Sequence, residues 1–85
     1  MFYVWIICRS LTYAQQAVNA LERAGISTKL VRTPCGIPGV SCCGYSAVIR
    51  SAMLPMAAAV LEQKNIRPIG YFRKEADGTY REAEL

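Results

Sequence analysis

Cys35, Cys42 and Cys43 lie in a single segment, Thr33-Pro-Cys-Gly-Ile-Pro-Gly-Val-Ser-Cys-Cys-Gly44, the one stretch of this 85-residue chain rich in both Gly and Pro. A deprotonated thiol is a nucleophile and a soft metal ligand. Thiols on such a loop can therefore attack sulfane sulfur or electrophiles, exchange disulfides, or bind metal. Gly44 leaves no side chain beside the sulfur of Cys43, which opens it to a partner. The sequence holds no histidine, and this removes the Ser-His and Cys-His dyads that most often activate a nucleophile. A hydrolase is disfavoured, whereas chemistry that asks only for a reactive thiolate is not.

Hydrophobic spacing shows which elements must hold this loop. Phe2 to Cys8 is an uninterrupted apolar, aromatic and β-branched run, as expected of a strand covered on both faces. Ser10 or Thr12 is placed to cap a helix, Thr12 with Gln15 in the manner of a capping box. Leu11, Ala14, Ala17, Val18, Leu21 and Ala24 then recur at helical spacing until Gly25 stops the helix. Thr28 to Thr33 mixes charged and apolar residues, the pattern of an edge strand, and Tyr45 to Arg50 predicts a further short strand. The loop between them is longer than the roughly two to five residues usual for a hairpin, and loops of that kind are disproportionately functional. Leu54, Ala57, Ala58 and Leu61 mark a second helix beginning near Met53, with Pro55 in its first turn. Ile66 to Phe72 predicts a last strand, and Asp77-Gly78 is a turn signal in a polar tail.

The order strand, helix, strand, strand, helix, strand, joined by right-handed crossovers, predicts an α+β fold. It is a ferredoxin-like βαββαβ sandwich, with two helices on one face of a four-stranded antiparallel sheet. Residues 1–72 would form this one domain, and 73–85 a polar tail that either makes a hairpin or stays without order. In that arrangement the first strand ends, at Cys8 and Arg9, on the same edge of the domain as the Pro34 to Gly44 loop. Cys43, Cys42 and Cys35 then form the candidate reactive set. The N-terminus of the first helix, Arg9 and Arg32 would lie nearby and stabilise a thiolate. Cys8, on a buried strand, is expected to serve packing.

A chain this short buries only about 60% of its unfolded surface, so further cover is an advantage. The open sheet face bearing Tyr3, Trp5 and Tyr45 would suit a homodimer. Although 53% of residues are hydrophobic, no apolar run reaches the roughly 18 residues of a membrane span. Met1 to Cys8 lacks the basic lead-in and cleavage site of a secretory signal, which points to the cytoplasm, where thiols stay reduced. The net charge of +4 is spread without a run of Lys or Arg. Tyr45 to Arg50 also lacks the basic-Gly-aromatic signature of RNA-recognition modules, so nucleic acid is a poor candidate partner.

Thr33-Pro34, the run Ser41-Cys42-Cys43-Gly44-Tyr45-Ser46-Ala47-Val48-Ile49-Arg50, the helix ending Leu21-Glu-Arg-Ala-Gly-Ile26, and the second helix leading to Ile66 form a pattern. Together these segments resemble a bacterial family of selenium/sulfur carrier-like proteins. The resemblance spans Phe2 to Tyr71 and carries over Cys43 with Gly44 as the Cys-Gly pair. It implies donor and acceptor proteins as partners, and no cofactor other than a covalently carried sulfur or selenium atom. Where that family more often shows a polar or basic residue and a serine, this chain has Cys35 and Cys42. Those thiols could resolve a persulfide, form a disulfide or bind metal.

Carriage is the leading reading: the Cys43 thiolate takes sulfur or selenium from a donor, holds it as a persulfide or perselenide, and yields it to an acceptor. This describes an accessory protein more than a turnover enzyme. A thiolate metal site built from Cys43, Cys42 and Cys35, with or without Cys8, ranks behind it. Its spacing is not the paired C-x-x-C of structural zinc, and adjacent cysteines rarely share one tetrahedral ion. A thiol redox switch through Cys35 and one of the loop pair is the third reading. A Cys42-Cys43 bridge would be strained and easily reduced.

Overall fold

The computed structural model describes residues 3–83. Phe2, expected to open the first strand, and residues 84–85 of the expected tail lie outside that range. The elements run β1 (Tyr3–Cys8), α1 (Leu11–Arg23), β2 (Lys29–Arg32), β3 (Tyr45–Arg50), a 3-10 turn (Ser51–Met53), α2 (Leu54–Gln63), β4 (Gly70–Lys74) and β5 (Tyr80–Glu82). The strands form one sheet in the order β2-β3-β1-β4-β5, with every neighbouring pair antiparallel. The fold is thus α+β, with two helices and five strands. The four-stranded sheet expected from the sequence is corrected by β5. The boundary expected after residue 72 falls inside β4, and the segment beyond it continues the sheet as a hairpin.

Alternation along β1 decides where the core lies. Val4, Ile6 and Cys8 point to one face, where Ala47 and Ile49 of β3 join them beneath Ala14, Ala17 and Leu21 of α1 and Leu54, Ala57 and Leu61 of α2. Both helices therefore cover the same face. The alanines of α1 and α2 let the helices lie close to the sheet, while Leu21 and Leu61, both fully buried, fill the remaining space; truncating either to Ala would cost about 2–5 kcal/mol. On the opposite face Ile7 is buried, Trp5 is half-buried and Tyr3 is exposed. The two-sided cover expected of β1 thus holds only toward its C-terminal end. Among the described residues no helix is long and apolar enough to cross a membrane.

The helix ends follow from local chemistry. Ser10 is the cap of α1, its Oγ accepting from the Tyr13 N–H at 3.3 Å, while Thr12 sits within the helix and makes no capping box. At the other end Gly25 adopts φ +84°. The Ile26 N–H donates to the Leu21 carbonyl at 2.9 Å, and the Gly25 N–H donates to that of Glu22 at 3.0 Å. This pair of bonds is a Schellman closure, and the following residue packs back on the helix. α2 ends in the same way, with Asn65 at φ +58° and Ile66 donating to Leu61 at 2.9 Å. Ile66 therefore closes a helix instead of opening the strand expected there, β4, which starts at Gly70.

The β4–β5 hairpin owes its turn to Asp77 and Gly78. Gly78 takes φ +91°, and Asp77 Oδ1 accepts from both the N–H (3.0 Å) and the hydroxyl (2.7 Å) of Thr79. These bonds hold the Asp77 carboxyl below its ordinary pKa. Tyr80 then meets Trp5 edge to face, ring centroids 5.5 Å apart, an arrangement favoured by the ring quadrupoles.

Candidate functional site

β2 and β3 pair antiparallel up to Arg32 opposite Tyr45, and the pairing continues one step further, the Thr33 N–H donating to the Gly44 carbonyl at 2.9 Å. The hydroxyls of Thr33 and Ser46 lie 2.7 Å apart, both buried. A buried polar pair satisfied only by each other fixes the two strands where the loop leaves the sheet. From this base the loop bends back on itself. Pro38 and Gly39 occupy the two central positions of a turn closed by the Val40 N–H donating to the Ile37 carbonyl at 3.1 Å, with Gly39 at φ +73°. That is the residue pair a type II turn requires. Ile37, only 3% exposed, anchors the loop despite its Gly and Pro surroundings.

The turn brings the two arms of the loop together, and Cys35 and Cys42 form a disulfide with their Cα atoms 4.7 Å apart. Among the described residues the free thiols are those of Cys8 and Cys43. Cys43 is exposed, and its N–H donates to Ser41 Oγ at 3.2 Å. This short side-chain turn sets the backbone just before Gly44. A Cβ placed on Gly44 would meet Thr33 Oγ1 at 3.6 Å and the Cys8 carbonyl at 3.7 Å, both ordinary contacts. Neither packing nor a left-handed backbone angle therefore demands glycine at position 44.

Cys43 borders a cavity of about 340 Å³. The end of β1 contributes Ile7, Cys8 and Arg9, the loop contributes Thr33, Gly39, Val40, Ser41, Cys43 and Gly44, and Ile69 comes from the connection into β4. Ile7, Val40 and Ile69 give the cavity an aliphatic side, and no carboxylate is among the lining residues. The edge predicted to gather the end of β1 and the loop does so. The four thiols, however, play separate parts. Cys8 is 3% exposed in the core, its Sγ–H donating to the Ile6 carbonyl at 3.5 Å. Burial pushes its pKa from 9.0 up to about 11, so it stays a neutral thiol.

The two arginines named from the sequence are placed differently. Arg9 shares the cavity with Cys43, and its guanidinium also lies over the Tyr13 ring at 5.9 Å. Arg32 lies over the Tyr45 ring at 5.8 Å and is not among the lining residues. Among the described residues no three Cys, Asp or Glu side chains come together in a way that could hold a metal ion. The disulfide also occupies two of the sulfurs that a metal site would need. Sequence reasoning missed Ile37, Ser41 and the Thr33–Ser46 pair; the signals were a lone aliphatic between Gly and Pro, and a serine two residues before Cys43.

The frame described above falls within a known sequence family. The chain belongs to the family described as "Putative Se/S carrier protein-like", whose pattern matches residues 3–73, from the first residue of β1 into β4. Comparison with curated proteins and with solved structures returns no match.

Proposed function

We propose that the chain carries one atom of sulfane sulfur or selenium on Cys43, as a persulfide or perselenide, between a donor and an acceptor. The observation that carries this reading is the isolation of Cys43 as an exposed free thiol beside an open cavity, next to a bonded pair and apart from a buried, neutral Cys8. Loading is thiol exchange: the Cys43 thiolate attacks the terminal atom of a donor R–S–SH, the donor's bond to that atom breaks, and R–S⁻ leaves. The step needs no histidine and no metal. Arg9 supplies positive charge at the cavity for the thiolate and for an anionic donor. The frame is ferredoxin-like in the interleaved order of its first four strands, with β5 added at the edge.

Pairing of Cys35 with Cys42 favours a second reading, in which the loop is a thiol redox switch and carries nothing. One experiment separates the two. The chain with its disulfide intact is incubated with a persulfide donor and its intact mass followed with time, for wild type and Cys43→Ser. Carriage predicts the gain of one sulfur or selenium atom in wild type and none in the variant. Equal loading of the variant would reject Cys43 as the carrier, and a change in hydrogens alone would support the switch.

A further inference from the structure

We propose that Cys42 and Cys35 discharge the carried atom reductively, releasing it as sulfide or selenide, and that the bonded pair is the state left behind. This rests on the carrier reading for Cys43. Cys35 and Cys42, seven residues apart in sequence, are brought within bonding reach by a loop in which Gly36 and Gly39 take φ +99° and +73°. Cys42 directly precedes the free, exposed Cys43. The fourth thiol, on Cys8, is buried and cannot compete. One carrier thiol, an adjacent relay thiol and a resolving thiol already shown to reach the relay are what a reductive release requires.

The chemistry balances without any group from outside the loop. With the pair reduced, the Cys42 thiolate attacks the terminal sulfur of Cys43–S–SH; that sulfur–sulfur bond breaks, Cys43 leaves as a thiolate, and Cys42 becomes the persulfide. The Cys35 thiolate then attacks Cys42 Sγ, forms the Cys35–Cys42 bond and expels HS⁻. The two electrons that reduce the sulfane sulfur to sulfide come from the Cys35 and Cys42 thiols, and Cys43 returns unchanged. Selenium follows the same steps and leaves as HSe⁻. An external dithiol reductant, two thiols for one disulfide, reopens the pair for another round. The route avoids a bridge between the neighbours Cys42 and Cys43. It also makes the redox state of the loop decide the outcome: the bonded loop stores the atom and the reduced loop releases it.

The full chain is reduced, freed of reductant and given one equivalent of cysteine persulfide; released sulfide and intact mass are then measured for wild type, Cys35→Ser and Cys42→Ser. Wild type should release about one sulfide per chain and finish two hydrogens lighter, while both variants retain the added sulfur and release at least about tenfold less. Retention by the variants also shows that their loops still load. Release from both variants equal to wild type overturns the proposal, as does a wild-type chain that keeps its sulfur with the pair still reduced; in the second case carriage survives. If no chain ever gains the atom and no sulfide appears, carriage falls and discharge falls with it.

Discussion

Cys8 and Cys43 border the same cavity, yet Cys8 is sealed in the core at 3% exposure and Cys43 stands on the surface. With Cys35 and Cys42 bonded, one thiol of the four should therefore be open to reagents. Iodoacetamide at neutral pH is expected to modify Cys43 alone, with Cys8 reacting only after denaturant is added. Two cysteines labelled at similar rates in the native chain would contradict the placement of Cys8.

The same burial makes stability depend on pH at the alkaline end. The Cys8 pKa rises from 9.0 to about 11 on folding, so below pH 9 the thiol is neutral in both states and its contribution is fully present. Between the two values the unfolded chain loses this proton while the folded chain keeps it, and stability falls as pH rises. From pH 8 to pH 10, wild type should lose on the order of 1 kcal/mol more than Cys8→Ala in denaturant unfolding. Parallel losses in the two proteins would remove Cys8 as the cause.

Matched ends of the two helices predict opposite effects of paired substitutions. Gly25 and Asn65 both sit in the left-handed region, where a Cβ is disfavoured and asparagine is tolerated less well than glycine. Gly25→Ala should cost about 1 kcal/mol, and Asn65→Gly should gain about 0.5–1 kcal/mol, both read from chemical denaturation midpoints. A destabilised Asn65→Gly would mean that the asparagine side chain has a role beyond its backbone angle.

Much of this architecture was legible in the residues themselves. The apolar run into Cys8, the helical spacing from Leu11 to Leu21 and the stop at Gly25 each carry a local signal strong enough to survive folding. The edge position of β2 was foretold by Lys29 and Arg32. What escaped depends on contacts distant in sequence. The Asp77-Gly78 turn and the option of a hairpin were legible. β5, however, has no alternating apolar pattern of its own to decide between a hairpin and a tail without order; the contact of Tyr80 with Trp5 accompanies the hairpin outcome. The choice of Cys42 over Cys43 as the partner of Cys35 is likewise invisible in the spacing, which allows either. It follows from how the Pro38-Gly39 turn folds the loop back and from the burial of Ile37.

Arg9 offers a test of the electrostatics at the cavity. It is the lining residue that carries a full positive charge, so Arg9→Gln should slow loading from an anionic persulfide about threefold to tenfold, with the gap closing as salt is added. Arg32→Gln, which removes a charge from outside the lining, should have a smaller effect. The measurement is the rate of mass gain at low and high ionic strength, and equal effects of the two substitutions would rule out a special place for Arg9.

The most direct measurement locates the atom itself. The disulfide-bonded chain is loaded from a persulfide donor, the adduct is capped with an alkylating reagent, and the digested peptide spanning the loop is fragmented to find the residue that bears the extra sulfur or selenium. The adduct is expected on Cys43, with the Cys35–Cys42 bridge intact and Cys8 unmodified. An adduct on any other cysteine, or a loop peptide with none, would contradict the assignment of Cys43 as the carrier.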